Sequence, residues 1–193
     1  DINMGCPVYK ITSNFNGAAL MKDPDRAAAI IREIRSAIGD AIPISVKIRL
    51  GWDDPDGFKT FIPVIEAAGA NLITIHGRTK CDGYSGKSDW ERIRQAKEIA
   101  TVPLLANGDI HESHQVAPCL DQTGADGVLI ARGALGNPWF FSNGFFIPLV
   151  ERVRVVLQHA RLHTAQYGER GMMTFRKHLA WYFKSNRLGV EIP

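Results

Sequence analysis

Apolar residues recur along the first three quarters of the chain in two alternating patterns. The segment DPDRAAAIIREIRSAIG carries isoleucines at helical spacing, with Asp23 as the predicted cap, Pro24 in the first turn and Gly39 at the end. The next segment, IPISVKIRL, alternates apolar and polar residues, which predicts a strand with Ile44, Val46, Ile48 and Leu50 on one face. Helix and strand therefore follow each other closely.

The alternation continues to about residue 142. Strands are predicted near residues 47, 74, 105 and 129, after one that ends near Asn3, and a helix capped by Ser88 lies among them. Such spacing is typical of parallel βα units. A doubly wound sheet would usually show a glycine-rich phosphate loop after its first strand, and none is seen. The pattern favours an α/β fold, a partial (β/α)₈ TIM barrel of about the last five strands.

From Pro148 onward the pattern is helical, and no further strand is predicted. We therefore expect residues 1–142 to form the C-terminal part of the barrel and 143–193 to begin an all-helical domain. Charge changes near the same place: residues 1–142 carry 15 Lys/Arg and 17 Asp/Glu, a net −2, whereas 143–190 carry 8 and 2, a net +6. Either a solvated basic helix or a nucleic-acid-binding segment explains this excess. The candidate contacts are Arg152, Arg154, Arg161, Arg170, Arg176, Lys177 and Lys184.

Composition excludes several classes of protein. No apolar run reaches the roughly 18–20 residues of a membrane span, so no membrane partner is expected. Cys6, Cys81 and Cys119 form no C-x-x-C pair and make a poor disulfide framework, which favours a reducing, cytoplasmic setting. The histidines show no metal spacing in this interpretation, and no metal is expected.

Polar residues follow the predicted strands at the ends where a barrel carries its chemistry. Lys47 lies within an apolar strand, where an ammonium needs either a carboxylate partner or an anionic, electron-rich ligand. Cys6 stands between Gly and Pro, and it is either a small buried residue or a thiol that faces the site as an acid. His76 alone is more typical of a structural histidine than of a ligand.

A phosphate site is predicted after the last two strands. The segments NGD and ARGALGNPW place Gly108 and Gly133 where backbone N–H groups can approach an anion, and Arg132 adds charge. Simple helix-capping turns are the alternative.

These stretches resemble the tRNA-dihydrouridine synthases, most closely the bacterial B-type branch. The matching segments run in family order from residue 1 to about 184: DINMGCPV, GAALMKDP, VKIRLGWDD, ITIHGRT, GYSGKSDW, LLANGDI, TGADGVLIARGALGNPW and RKHLAWY. The resemblance implies an oxidoreductase that reduces tRNA uridines to 5,6-dihydrouridine with FMN and NADPH. It also implies an FMN-binding barrel, a helical tRNA-binding domain and a monomeric protein.

The resemblance assigns roles to individual residues. Cys6 would protonate C5 of the uracil while the reduced flavin delivers hydride to C6, and Asn3 would hold the uracil. Lys47 and His76 would contact the flavin, and Arg78 would meet RNA or substrate. The FMN phosphate and ribitol site would comprise Asn107, Gly108, Asp109, Ala131 and Arg132.

The chain departs from the family pattern in two respects. Ala131 stands where the family usually has glycine, and its methyl group would crowd the phosphate approach. The first three strands of the barrel are absent, so we expect the chain to be a fragment. Two rival functions stay open: another FMN barrel acting on a free dihydropyrimidine, which would not need the basic tail, and a catalytically inert tRNA-binding fragment.

Overall fold

The computed structural model describes residues 1–142 and 147–183. The chain forms two compact units, one of residues 1–110 and 114–130, the other of residues 111–113 and the chain from Ala131 onward. None of the helices in the described ranges combines the length and apolar character that crossing a membrane requires.

The first unit contains a five-stranded parallel sheet. Its strands are β1 (Ile2–Asn3), β2 (Ser45–Arg49), β3 (Leu72–His76), β4 (Leu104–Asn107) and β5 (Gly127–Val128), and they lie side by side in chain order. Each strand is joined to the next by a connection that contains helix, as parallel pairing requires. This arrangement confirms the predicted α/β class with successive parallel βα units.

The helices follow the predicted order. They are α1 (Tyr9–Thr12), α2 (Pro24–Ile38), α3 (Phe58–Ala67), α4 (Trp90–Ile99), α5 (Val116–Thr123), α6 (Leu149–Tyr167) and α7 (Glu169–Tyr182), with short 3₁₀ turns at Gly17–Lys22, Ser113–Gln115, Arg132–Ala134 and Pro138–Phe141.

Capping explains where two of these helices begin. The Asp23 side chain accepts a hydrogen bond from the Arg26 amide at the start of α2, as predicted. The predicted cap of α4 is wrong by one residue, because Asp89 accepts from the Arg92 amide. The Ser88 amide instead donates to the Asp109 carboxylate, 2.7 Å away.

The two faces of β2 have different surroundings. Val46 and Ile48 are fully buried, together with Ile73 and Ile75 on β3. Because side chains alternate along a strand, Lys47 lies on the opposite face. The apolar face provides the core, and the second face is left to polar groups.

Polar side chains connect the loops at the amino ends of the strands. Arg35 donates to the carbonyls of Gly39, Ile42 and Gly69 and to the Asn71 side chain, which joins the segments that precede β2 and β3. Before β4, the Glu66 carboxylate accepts from the amides of residues 101 and 102. Before β5, Asp126 accepts from the Leu104 amide and from Lys97.

The second unit is built around the antiparallel pair α6 and α7. Its buried apolar cluster consists of Val156, Phe175 and Tyr182. Arg152 is also buried: it donates to the Tyr182 carbonyl at 3.3 Å and lies 5.0 Å from the centre of the Trp139 ring. Arg152 is therefore a packing residue of this unit rather than an exposed RNA contact.

Candidate active site

The register of the parallel sheet brings the predicted residues to one face. Lys47 pairs with Asn3 on β1 and with Thr74 on β3. Two residues further along the strands, His76 pairs with Arg49 and Asn107. Paired residues in a parallel sheet point to the same side, and the two rows are two residues apart on each strand. Side chains from four strands therefore share the face opposite the apolar core, at the carboxyl ends.

Asn3 fixes the turn that carries Cys6. Its Oδ1 atom accepts hydrogen bonds from the amides of Gly5 at 3.0 Å and Cys6 at 2.9 Å. The turn is locked on its other side, where the Ala18 amide donates to the Cys6 carbonyl. The Asn3 amide nitrogen has no acceptor among the described residues, and the Cys6 side chain is partly exposed. An amide donor and a thiol are thus presented from one short turn.

Lys47 has no carboxylate partner within residues 1–142 and 147–183. The pKa of its ammonium is lowered to about 8, chiefly by burial and also by the charge of the nearby Arg49, with Cys6 acting in the opposite direction. The described residues therefore do not form the structural alternative, in which Lys47 would pair with a carboxylate of the sheet. The ammonium suits an anionic ligand.

His76 is held as a neutral donor and acceptor. Its Nδ1 lies 2.9 Å from Asn107 Oδ1, and the Asn107 amide nitrogen is already used as a donor to the Leu129 carbonyl. Asn107 Oδ1 is therefore the acceptor, and the His76 proton resides on Nδ1. Burial lowers the pKa of His76 to about 4, with Arg49, Lys47 and Arg78 adding to the effect.

Arg78, predicted as a substrate contact, is 3% exposed. Its guanidinium donates to the carbonyls of Ser85 and Gly86 and pairs with Asp109 Oδ2 at 2.7 Å. Its Nη1 also lies 3.4 Å from His76 Nε2. Arg78 thus links the loop after β3 to the loop after β4, and its donors are directed into the protein.

Gly108 and Asp109 form the turn after β4, both with positive φ, +122° and +56°. A side chain at Gly108 would collide with Ser88 Oγ at 2.3 Å, and one at Gly77 would collide with the same atom at 2.4 Å. The Gly108 carbonyl accepts from the Trp90 indole, whereas its amide has no acceptor among the described residues. This N–H is available to an anion.

Arg49 is an important residue that the sequence interpretation left without a role. It is buried, and it donates to the carbonyls of Gly5, Thr79 and Gly83 at 2.7–2.8 Å. It therefore fixes the loops after β1 and β3 around the Cys6 turn. The available signal was its position two residues after Lys47 on the same face of a strand.

Ala131 and Arg132 belong to the second unit, so the structure does not join them to the group on the sheet. Both are exposed, and they open the 3₁₀ turn Arg132–Ala134, within which Gly133 is buried. The φ angle of Ala131 is −116°, outside the left-handed region that favours glycine. Alanine at this position therefore needs no glycine-like φ angle.

Three histidines of the second unit form a group that the sequence interpretation, which found no metal spacing, did not anticipate. His159 and His163 lie four residues apart on α6, and one ring nitrogen of each lies within 4.8 Å of the other and of one nitrogen of His178 on α7. The i, i+4 spacing was visible in the sequence, but the third ligand depends on how α6 and α7 pair.

A parallel βα sheet with a reactive turn and polar side chains at its carboxyl edge is typical of barrel enzymes. The family model for dihydrouridine synthase (Dus) matches residues 1–191, and the chain belongs to that family.

Individual relatives agree with this assignment. The chain is 41% identical to "Probable tRNA-dihydrouridine synthase 1" of Synechocystis sp. over 95% of its own length and 54% of the relative's. It is 36% identical to "tRNA-dihydrouridine synthase B" of Pasteurella multocida, over 95% of the chain and 58% of that protein. The chain thus spans little more than half the length of these curated relatives.

Proposed function

We propose that the chain carries the reaction centre of a tRNA-dihydrouridine synthase, which reduces chosen uridines of tRNA to 5,6-dihydrouridine with FMN and NADPH. The observation that supports this best is the group of donors on one face of the sheet: the Cys6 thiol, the Asn3 amide and the Lys47 ammonium, each without a protein acceptor in the described residues. A chain of this family has a use for all three.

The residues fit a flavin mononucleotide. The cofactor consists of a ring system and a phosphate dianion. The polar edge of the ring becomes negative when the ring is reduced. Lys47 offers an unpaired, partly buried cation for the ring, and the Gly108 amide offers a donor for an anion. We assign Lys47 and Gly108 to the cofactor on these grounds. The resemblance to the family assigns His76, Asn107 and Asp109 to it as well. The resemblance to the family also assigns Ala131 and Arg132 to the phosphate, and for these two residues the proposal rests on that resemblance alone.

When bound and reduced by NADPH, the flavin supplies the hydride that adds to C6 of the uracil. The Cys6 thiol supplies the proton that adds to C5, and the thiolate left behind regains a proton from solvent. The Lys47 ammonium stabilises that thiolate, because the two charges attract one another. The Asn3 amide donates to a uracil carbonyl, and its own Oδ1 stays fixed by the turn.

Arg78 has a positioning role in this proposal. Its bonds to Asp109 and to the loop of residues 85–86 hold the turn after β4, and its contact with His76 Nε2 fixes the tautomer of that ring. We therefore place Arg78 beside the cofactor site rather than on the RNA.

The exposed basic residues of the second unit are proposed to bind tRNA phosphates. Arg161, Arg170, Arg176 and Lys177 are exposed on α6 and α7, Arg154 pairs with Glu151, and Lys184 lies outside the described residues. Each phosphate contact should make binding more sensitive to salt. Replacing Arg176 and Lys177 with Gln should reduce the slope of log affinity against log salt by about 2. An unchanged slope would indicate that these side chains lie on a solvated helix face and do not contact phosphates.

Mass spectrometry of tRNA tests the whole proposal. Dihydrouridine is two mass units heavier than uridine, so tRNA from cells that lack the gene for this chain should contain unreduced uridine at the modified positions. Reintroducing the gene should restore the heavier nucleoside, and the Cys6→Ala gene should not. Normal dihydrouridine in the deletion strain would contradict the proposal. We place the reaction in the cytoplasm, because Cys6, Cys81 and Cys119 are free thiols and the acid must stay reduced.

A further inference from the structure

Three histidines of the second unit lie together, and none of them is assigned to the reaction. His159 and His163 are on α6, and His178 is on α7. Their ring centres are 4.9 Å (159–178), 5.5 Å (163–178) and 6.1 Å (159–163) apart. One nitrogen from each ring lies within 4.8 Å of the other two, and all three residues are partly buried.

Two neighbours orient these rings. His159 Nδ1 lies 3.1 Å from the Tyr182 hydroxyl, and His163 Nε2 lies 2.8 Å from Thr174 Oγ1. When each of these nitrogens donates its proton to the oxygen, the second nitrogen of the ring is left as the metal donor, which is the usual arrangement around metal-binding histidines. The cluster therefore has both the donors of a metal site and the outer bonds that position them.

A cavity of about 320 Å³ adjoins His163 and is also lined by Tyr167, Arg170 and Thr174. Arg170 opposes a bare dication there and favours hydroxide or another small anion as the fourth ligand.

We propose that His159, His163 and His178 form a zinc site that joins α6 to α7. Three imidazoles favour zinc and its neighbours in the transition series, whereas magnesium and calcium prefer oxygen ligands. Zinc–nitrogen bonds of ~2.0–2.1 Å require the three nitrogens to approach to ~3.3 Å, a movement that side-chain rotation of half-buried rings supplies. The ion would reinforce a unit whose apolar cluster is small: Val156, Phe175 and Tyr182.

Calorimetric titration of the chelator-treated 193-residue chain with zinc chloride tests the proposal. We expect one zinc ion per chain, no heat with magnesium chloride, and a higher melting temperature when zinc is in excess. His163→Gln and His178→Gln should each weaken zinc binding at least about 10-fold, since even the loss of an outer partner costs about 10–100-fold. His114→Gln, a matched change of an exposed histidine outside the cluster, should bind zinc as the unchanged chain does.

Cobalt gives a second readout that needs no variant. Bound to the unchanged chain in place of zinc, Co²⁺ should show the intense visible bands of a four-coordinate ion with nitrogen ligands. A weak six-coordinate spectrum, or a thiolate charge-transfer band, would place the ion elsewhere and overturn the proposal. So would absence of zinc binding, or equal affinity in His163→Gln, His178→Gln and the unchanged chain. If either variant fails to fold, the cobalt spectrum decides.

Discussion

The polar side chains at the two edges of the parallel sheet differ in whether the protein supplies their hydrogen-bond partners. At the amino edge, Arg35 donates to four acceptors and the carboxylates of Glu66 and Asp126 each accept from the backbone, so these side chains are satisfied within the protein. At the carboxyl edge, the Lys47 ammonium and the Asn3 amide have no acceptor among the described residues.

We interpret this difference as a division between groups that stabilise the sheet and groups that are proposed to bind a ligand. Satisfied polar groups stabilise loops, whereas partly buried donors without partners cost stability and persist where a ligand uses them. The carboxyl edge also contains supporting residues, since Arg49 and Arg78 use their donors within the protein. Residues whose donors are all bonded within the protein therefore position the neighbouring residues whose donors have no partner. The comparison predicts that variants at the two edges change different properties.

The largest effect is expected at Cys6. Cys6→Ala should slow single-turnover uridine reduction by about 10²–10⁴-fold, the range for loss of a positioned acid, without lowering the free energy of unfolding. Cys81→Ala, at an exposed cysteine, is the matched control and should react normally. Equal rates for the Cys6 variant and the unchanged protein would show that Cys6 is not the acid of the reaction.

At the amino edge, Arg35→Met should lower stability and leave activity unchanged. Loss of several charge-assisted hydrogen bonds from a side chain that is 18% exposed should lower the free energy of unfolding by about 2 kcal/mol. Urea denaturation measures this change, and uridine reduction per folded molecule should stay normal. Arg32→Met, on the exposed side of the same helix, should leave both quantities unaltered. A loss of activity with unchanged stability would contradict the division between the edges.

Lys47→Met should weaken FMN binding by about 10-fold, as expected for one charge-assisted contact, and should not destabilise the fold. Methionine keeps most of the apolar stem and removes a partly buried charge. Fluorescence titration with FMN measures the affinity, and Lys59→Met on the exposed surface of α3 serves as the control. Normal flavin binding in the Lys47 variant would leave the ammonium without a function.

A smaller effect should appear with pH. Because burial lowers the pKa of Lys47 to about 8, raising the pH from 7 to 9 removes most of its protons in the free protein. The anionic cofactor prefers the protonated form, so FMN affinity should fall, by at most about 10-fold over this interval. Lys47→Met should show a flat profile. An equal fall in the variant would assign the pH dependence to another group.

The parallel βα units and the grouping of polar candidate residues on one face could be predicted because both follow from residue spacing. Strand spacing fixes parallel neighbours, and period-two alternation places Lys47 opposite Val46 and Ile48. The predicted strand near residue 129 is observed as the shorter Gly127–Val128.

Partners across loops could not be predicted in this way. The bonds of Arg49 to Gly5, Thr79 and Gly83 join residues that are 30 to 44 positions apart in the sequence, and only the folded chain determines them. The cap of α4 was misplaced for the same reason, since Ser88 bonds to Asp109 from the next βα unit. Long-range hydrogen bonds leave no periodic signal in a sequence.

Ser88 has a consequence for laboratory evolution of this chain. Its hydroxyl oxygen lies only 2.3–2.4 Å from where the β-carbons of residues at positions 108 and 77 would be, and the Asp89 backbone lies 2.8–2.9 Å from such a β-carbon at position 77. A single substitution at either glycine therefore displaces the start of α4, and the positive φ of Gly108 adds a second penalty. A mutant library aimed at new substrates should keep both glycines, and also Gly86 with its φ of +65°, and randomise Ser85 and Lys87, which are exposed.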